Sequence, residues 1–208
     1  MSFTKENFIK AIEQCSALME QNKQYLIDMD SAFGDGDLGL TMTAGFAAAF
    51  EFVSGSGETD MGKLAAQMGM AISKKVPSTM GTLVASGFIA AGKALKGKTA
   101  LEADDLALFF KSFVEGVKSR GKADVGDRTI VDSIAPASEA FGAAIASGKD
   151  IKAALETACA AAADGVEATK NMQAKFGRAV YYGEQVLGKE DQGSVVGKLI
   201  FEGFFTAY

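Results

Sequence analysis

Apolar residues along this chain recur at steps of three and four, the spacing that places them on one face of an α-helix. Between residues 5 and 24 this stripe consists of Phe8, Ile12, Cys15 and Met19. A second helix is predicted to begin near Thr99, because Thr99 and Glu102 have the spacing of a capping box, and to end at Gly121. Asp150 is predicted to cap a third helix, which runs through Val166 and as far as Lys175.

Weaker helical patterns cover residues 40–53, 61–75, 82–95, 129–146 and 194–206, and Pro136 is expected to bend its helix or delay its start. Alternating strand patterns are missing, and no segment is long or biased enough to be a linker. The patterns therefore predict an all-α chain of about eight helices, with residues 1–208 forming a single domain.

Composition narrows the chemistry that this chain can perform. It has no histidine, which excludes Ser-His and Cys-His nucleophile pairs, histidine metal ligands and a phosphohistidine on this chain. A net charge of -5 argues against nucleic acid as a partner. The amino terminus has no signal-peptide pattern, and no uninterrupted apolar run approaches the roughly 18 residues of a membrane span, so we expect a cytoplasmic protein without a membrane partner.

The strongest chemical signal is a segment with four acids in ten residues, Asp28, Asp30, Asp35 and Asp37. Carboxylates this close together repel one another unless a cation lies among them, and oxygen ligands favour magnesium or calcium. An EF-hand is excluded, because Ala32 and Phe33 occupy positions where that loop needs Asp or Asn and Gly. Two interpretations stay open, an irregular loop that binds magnesium and a solvated acidic turn.

Three further stretches have the character of functional loops, and each has an ordinary structural explanation. Residues 78–82 form a small, hydroxyl-rich turn that suits phosphate binding or a plain N-cap. Residues 126–129 suit a ligand loop or a helix start capped by Asp127. Residues 177–184 and 191–193 indicate a long loop, which either has a function or is held in place by packing alone. Neither a P-loop nor a strand-borne Gly-rich dinucleotide motif is present.

Taken in order, the segments GDGDLGLTM, GKADVGDRTIVDSIAPA and AKFGRAVYYGEQVLGKEDQG resemble the nucleotide-binding L subunits of bacterial dihydroxyacetone kinases. The resemblance covers essentially the whole chain. It implies an antiparallel barrel of eight helices that binds ADP or ATP at one end through Mg²⁺. It also implies a kinase subunit that transfers a phosphoryl group to dihydroxyacetone, or to a similar small ketose, on a partner subunit.

The same resemblance assigns the site residues. Asp30, Asp35 and Asp37 would be the metal ligands. The residues lining the phosphates would be Leu38, Gly39, Leu40, Thr41, Thr79 and Met80. Those around the base and ribose would be Gly121, Ile130, Arg178, Asp191, Gln192 and Gly193.

This chain departs from the phosphotransferase-dependent members of that family in three places. They have His where Leu38 stands, a Gly-Gly-x-Ser-Gly turn where residues 77–81 read Pro-Ser-Thr-Met-Gly, so that Met80 replaces Ser, and Pro where Gln192 stands. Alternatives to the kinase subunit are therefore a non-catalytic nucleotide-binding regulator and a kinase for another acceptor. The phosphoryl donor, either a phosphohistidine protein of the phosphotransferase system or free ATP, stays open, as does the oligomeric state, with a homodimer among the options.

Overall fold

The computed structural model describes residues 2–208, which form nine α-helices and two 3₁₀ segments. The 3₁₀ segments are Thr169–Asn171 and Arg178–Val186. The α-helices are α1 (Lys5–Gln21), α2 (Lys23–Phe33), α3 (Leu38–Gly55), α4 (Met61–Lys75), α5 (Thr79–Ala94), α6 (Ala103–Gly121), α7 (Val131–Ala146), α8 (Ile151–Ala168) and α9 (Gln192–Ala207). Within the described residues there is no named strand, so the predicted all-α class is confirmed.

Eight of the helices contact one another in chain order. Helix α1 packs against α3, each helix from α3 onward packs against the next, and α9 returns to α1, while α2 lies against α3. Aromatic side chains from several of these helices meet inside the ring, where Phe109 contacts Phe8, Phe88 and Phe204. This closed order of contacts supports the expected barrel, whose detailed geometry stays a prediction.

Helix α2 was not predicted, and the error bears on the acidic segment. Asp28 and Asp30 lie on this helix rather than in a loop, and only Asp35 and Asp37 belong to the turn that follows it. The apolar pattern is weak here because Leu26 and Asp30 are the only buried residues of α2. A helix that buries one apolar side chain gives almost no stripe to detect.

Of the two helix caps predicted from the sequence, one is confirmed and one is wrong. Asp150 accepts a hydrogen bond from the N–H of Ala153, as predicted, although α8 ends at Ala168 rather than Lys175. The cap predicted at Thr99 is wrong, because α6 begins at Ala103 with a box formed by Glu102 and Asp105.

Tertiary pairing explains the later start of α6. The N–H and carbonyl of Leu101 pair with the carbonyl and N–H of Phe3, which holds residue 101 in an extended bridge. A backbone paired in this way cannot at the same time enter the first turn of a helix.

Pro136 does not delay the start of α7, since it lies within Val131–Ala146, and a bend at this position stays a prediction. Proline has no N–H, so the carbonyl of Asp132 loses its usual donor inside the helix. Gly165 of α8 packs directly on that carbonyl, at a point where a side chain would overlap it. The two helices therefore approach closely at the position that Pro136 leaves open.

Helix α3 is the one helix among the described residues whose length and composition would allow it to cross a membrane. Its seven buried residues face α1, α2 and α4, which accounts for its apolar character as a core helix.

Helices α4 and α5 cross at a pair of glycines. A methyl group on Gly92 would overlap the carbonyl oxygen of Gly62 and lie 2.6 Å from the N–H nitrogen of Ala66. We expect Gly92→Ala to lower the free energy of unfolding by about 1–3 kcal/mol, because the two helices must separate. Urea denaturation followed by circular dichroism measures this change.

Gly142→Ala is the matched control, because Gly142 lies in α7 with no heavy atom within 4 Å of the added methyl group. This substitution should raise the free energy of unfolding by about 0.5–1 kcal/mol through the loss of backbone freedom in the unfolded chain. Equal stabilities for the two variants would contradict the tight crossing.

Candidate functional site

A cavity of about 470 Å³ lies where the amino-terminal ends of four helices converge. Its lining includes Leu38 of α3, Thr79 of α5, Ile130 at the start of α7 and Gln192 of α9. A second cavity of about 460 Å³ adjoins it and shares Thr79 and Ile130 in its lining. Helix amino termini carry partial positive charge and unpaired N–H groups, so this end of the molecule favours an anionic ligand.

The acidic cluster forms one side of the larger cavity. Single carboxylate oxygens of Asp30, Asp35 and Asp37 all lie within 4.8 Å of one another. Asp30 is buried at the end of α2, while Asp35 and Asp37 are exposed in the turn between α2 and α3. Gly36 has a φ of 76°, a left-handed conformation that allows the turn to bring the two exposed acids back beside Asp30.

Asp30 has a structural role as well as a place in the cluster. Its Oδ2 accepts hydrogen bonds from the N–H groups of Asp37 (3.0 Å) and Leu38 (3.2 Å), at the start of α3. Its Oδ1 accepts one from Nε2 of Gln192 (3.3 Å), at the start of α9. The buried carboxylate thus holds the acidic turn and two helix ends together.

The cluster carries more negative charge than its surroundings compensate. Burial raises the pKa of Asp37, the charges of Asp35 and Asp30 raise it further, and Arg178 lowers it. Arg178 is the nearby cation, with its Nη2 2.8 Å from Oδ2 of Asp35. A hard divalent cation fits these three carboxylates, because it takes oxygen ligands and would relieve their mutual repulsion.

The turn before α5 agrees with the sequence interpretation of a small, capped turn. Oγ of Ser78 accepts a hydrogen bond from the N–H of Gly81, so a plain N-cap is present. Thr79 is exposed beside it and Met80 is half-buried, and both line the larger cavity. Capping and contact with the cavity therefore occur in the same turn.

Residues 126–129 are organised by Asp132, and the cap considered at Asp127 is wrong. The carboxylate of Asp132 accepts hydrogen bonds from the N–H groups of Gly126 (2.6 Å) and Thr129 (2.6 Å). Asp127 instead accepts from the N–H of Asp124 and pairs with Lys175. Helix α7 begins after Ile130 without a side-chain cap of its own.

Asp191 caps α9 from a buried position. Its Oδ2 accepts a hydrogen bond from the N–H of Ser194 (2.7 Å), and its Oδ1 lies 3.6 Å from Nη1 of Arg128. Burial raises the pKa of Asp191 to about 6, against the opposing effects of Ser194 and Arg128. The carboxylate therefore depends on its neighbours to stay ionised at neutral pH.

Most of the residues assigned by resemblance meet at this cleft. The larger cavity is lined by Asp30, Asp35, Asp37, Leu38, Thr79, Met80, Ile130, Arg178, Asp191, Gln192 and Gly193. Gly121 lines the adjoining cavity.

Gly39, Leu40 and Thr41 line neither cavity. Gly39 packs against α2, where an added Cβ would overlap the carbonyl oxygen of Lys23, and the Leu40 side chain is exposed. Their remaining link to the cleft is the backbone of the first turn of α3.

The sequence did not single out every side chain of the cleft. Phe33, Leu83 and Phe176 line it, and Arg128 lies buried at its base. Leu83 lies in a predicted helical pattern, while Phe33 and Phe176 stand in stretches predicted as loops, where an isolated aromatic residue gives no functional signal. Arg128 stands in a stretch that was recognised as a loop, but no local signal shows that its charge is buried.

Asp30 and Asp37 should respond differently to removal of the carboxylate when no metal is present. Asp30→Ala should lower the free energy of unfolding by about 1–3 kcal/mol, because the buried N–H groups at the start of α3 lose their acceptor. Asp37→Asn should leave it unchanged or raise it by up to about 0.5 kcal/mol, because like-charge repulsion falls. Urea denaturation in EDTA at pH 7 measures both, and a larger loss for Asp37→Asn would contradict the structural role of Asp30.

The comparisons with known proteins agree with the resemblance read from the sequence. The DAK2 domain matches residues 32–206. The ADP-binding subunit DhaL of the PEP-dependent dihydroxyacetone kinase of Escherichia coli is 31% identical over 93% of this chain and 92% of its own length. The corresponding subunit of dihydroxyacetone kinase 2 of Listeria innocua is 32% identical over 90% of this chain and 87% of its own length.

Solved structures support the fold. The native dihydroxyacetone kinase of C. freundii matches 99% of this chain with a TM-score of 0.76 at 23% identity. The same kinase in complex with AMP-PNP and Mg²⁺ matches 96% with a TM-score of 0.74. This chain covers 36% and 33% of those longer chains. The chain belongs to the DAK2 domain family, with the DhaL subunits of bacterial dihydroxyacetone kinases among its relatives.

Proposed function

We propose that this chain is the nucleotide-binding subunit of a dihydroxyacetone kinase, a single domain spanning residues 1–208 that binds Mg²⁺ with ADP or ATP. It passes a phosphoryl group to dihydroxyacetone, or to a similar small ketose, held on a partner subunit. The observation that carries this proposal is the meeting of three carboxylates within 4.8 Å and four helix amino termini in one cleft. Its relatives are named as ADP-binding subunits of kinases for the same ketose.

In this proposal Asp30, Asp35 and Asp37 hold the metal, which neutralises phosphate charge during transfer. Arg178 lies beside the cluster and supplies a second positive charge to the same region. The first turns of α3, α5 and α9 direct backbone N–H groups toward the phosphates. Gly39 and Leu40 act there through their backbone N–H groups, since their side chains line neither cavity. The N–H of Thr41 already donates to the carbonyl of Asp37, so Thr41 contributes only to the structure of that turn.

The adjoining cavity suits the base. Its lining includes the apolar side chains of Leu83, Val117, Ile130 and Phe176, and Gly121 packs close to Leu83 in the same wall. Asp191, Gln192 and Gly193 line the larger cavity beside the acidic cluster, and we assign them to the ribose. Flat apolar walls with a few polar groups are typical of nucleotide sites.

The chain's contribution to the reaction is positioning and charge neutralisation. It has no histidine, and neither of its cysteines lines the cleft. Phosphoryl transfer needs little covalent chemistry from the protein, because most of its barrier is lowered by alignment and electrostatic stabilisation. The phosphoryl group would therefore move between nucleotide, donor and ketose without a covalent intermediate on this chain.

Because this chain would supply only positioning and charge neutralisation, other components must supply the acceptor and the phosphoryl group. A ketose-binding subunit supplies the acceptor, and a phosphohistidine protein of the phosphotransferase system or free ATP supplies the phosphoryl group. We infer that the chain acts with them in the cytoplasm. A relative in Lactococcus lactis, 30% identical over 96% of this chain, is named as the ADP-binding subunit of a PTS-dependent kinase.

Leu38 and Met80 favour a second candidate function, a nucleotide-binding regulator without turnover. Leu38 is 5% exposed, Met80 is half-buried, and both bring apolar side chains to the cavity near the acidic cluster. Neither can donate a hydrogen bond to a phosphate. Binding through the carboxylates and helix ends is unaffected by these two residues, whereas the transfer step loses two polar contacts.

Magnesium and nucleotide together should stabilise the fold. At a hundredfold excess over the dissociation constant, Mg-ADP should add about 2.7 kcal/mol to the free energy of unfolding. For a chain of this size this shift is roughly 5–11 °C in Tm. Differential scanning fluorimetry measures it, magnesium alone should give much less, and an equal shift in EDTA would contradict the metal site.

The matched variants are Asp35→Asn, Asp37→Asn and Asp28→Asn. The first two should abolish the Mg-ADP shift in Tm. Asp28→Asn removes the same charge from an exposed carboxylate of α2 that lies outside the cluster, so it should keep the shift. Loss of the shift in all three variants would indicate a general charge effect rather than coordination.

The isolated chain should bind Mg-nucleotide but should phosphorylate no ketose, because the proposed acceptor site belongs to the partner. A coupled assay with and without a ketose-binding subunit and a phosphoryl donor checks this expectation. Activity of the chain alone would exclude the subunit proposal. Inactivity with every component present, combined with normal nucleotide binding, would favour the regulator.

A further inference from the structure

Arg128 is a buried cation that the proposed phosphoryl transfer does not use. It is 2% exposed and ranks first by volume among the fully buried side chains of the described residues. Its φ of 59° is left-handed, a conformation that an L-amino acid with a side chain adopts at a cost in conformational energy. A strained, buried charge persists only where the surrounding contacts compensate for it.

The contacts of Arg128 come from a segment about sixty residues further along the chain. Its Nη2 donates to the carbonyl oxygens of Val186 (3.3 Å), Lys189 (3.1 Å) and Glu190 (3.2 Å). Its Nη1 lies 3.6 Å from Oδ1 of Asp191. One guanidinium thus gathers three backbone carbonyls and the carboxylate that caps α9.

We define residues 178–190 as the closing segment. It contains the 3₁₀ stretch, and Gly183 and Gly188 have positive φ angles within it. Its first residue, Arg178, pairs with Asp35 of the acidic cluster, and Tyr182 stacks edge-on against Phe33. Most of its side chains are exposed, so it has few apolar contacts to fix its position.

The closing segment is attached near both of its ends. At its start is the exposed ion pair of Arg178 with Asp35, which water screens. Near its other end Arg128 donates charge-assisted hydrogen bonds to carbonyls from a buried guanidinium, while the N–H of Gly188 donates to the carbonyl of Lys170 and the carboxylate of Glu190 accepts from Tyr25. The buried attachment is the stronger of the two, and it also adjoins Asp191 at the cleft.

We propose that Arg128 is a positioning residue that fixes the closing segment, and with it Arg178, at the edge of the nucleotide cleft and so limits how fast the nucleotide leaves. The proposal rests on the proposed nucleotide-binding function. Arg128 acts through the backbone of residues 186–190 and through Asp191, because the carbonyls of that stretch and the Asp191 carboxylate are the groups that its guanidinium contacts. Loss of the guanidinium would release three carbonyls and leave the Asp191 carboxylate buried beside no cation.

The test compares Arg128→Met and Arg128→Lys with wild type in the full chain. The release of methylanthraniloyl-ADP with Mg²⁺ is measured by displacement with excess ADP, and amide hydrogen exchange is measured across residues 178–190. We expect Arg128→Met to release the nucleotide about tenfold faster or more, which corresponds to about 1.4 kcal/mol. Exchange should rise in the closing segment and stay unchanged in α1 and α4.

Arg128→Lys should give an intermediate release rate, because an ammonium group can bond some of the carbonyls but cannot also reach Asp191 in the geometry of the guanidinium. If Arg128→Met does not fold, the release rate and exchange of Arg128→Lys decide the question. Wild-type release and exchange in a folded Arg128→Met, or in Arg128→Lys where Met fails to fold, would overturn the proposal.

Leu155→Ala is the control for a general loss of stability. Leu155 is fully buried in α8, about 20 Å along the helix from Thr169, near the cleft. Leu155→Ala should lower Tm without accelerating nucleotide release. If it lowers Tm as much as the Arg128 variant and accelerates release as much, the proposal is overturned. A wild-type chain that binds no Mg-ADP would contradict the proposed function itself, whereas wild-type binding with unchanged release in the Arg128 variants contradicts only the role of Arg128.

Discussion

The buried carboxylate of Asp30 is the interaction on which the cleft depends. A carboxylate is costly to bury unless hydrogen bonds replace its water, and Asp30 obtains them from the N–H groups that open α3 and from Gln192 at the start of α9. Satisfying that one group fixes the turn between α2 and α3 in a single conformation. Asp35 and Asp37 are brought beside Asp30 as a consequence, so the same contacts that stabilise the helix ends also create the concentration of negative charge.

Opposite charges meet at this end of the molecule without cancelling. The helix amino termini favour an anion, while the three carboxylates favour a cation, and both line one cavity. A ligand that is only an anion or only a cation interacts favourably with the helix amino termini or with the carboxylates, but not with both. A metal-bound nucleoside phosphate carries both signs, which makes the proposed ligand compatible with a chain whose net charge is -5.

The sequence predicted those features whose cause is local. Helix α4 was predicted with its observed bounds, and Asp150 was recognised as a cap, because an apolar stripe and a capping side chain act within a few residues. Helix α2 was missed because it buries almost nothing apolar, and the start of α6 was misplaced because Phe3 pairs with Leu101 from the other end of the chain. In the site, the spacing of the acids was visible, whereas the burial of Arg128 depends on carbonyls about sixty residues away.

The structure separates the groups that bind from the groups that would govern transfer. In the proposed function, carboxylates and backbone N–H groups supply the attraction for a metal nucleotide, and these groups are not the side chains of Leu38 or Met80. Those two residues contact the same cavity near the acidic cluster but offer no donor to a developing charge. Interactions that are stronger in the transition state than in the bound state set the rate, whereas uniform interactions set only affinity. Substitution at positions 38 and 80 can therefore change turnover or acceptor while the nucleotide site persists, because the binding groups are fixed by Asp30 and the helix ends.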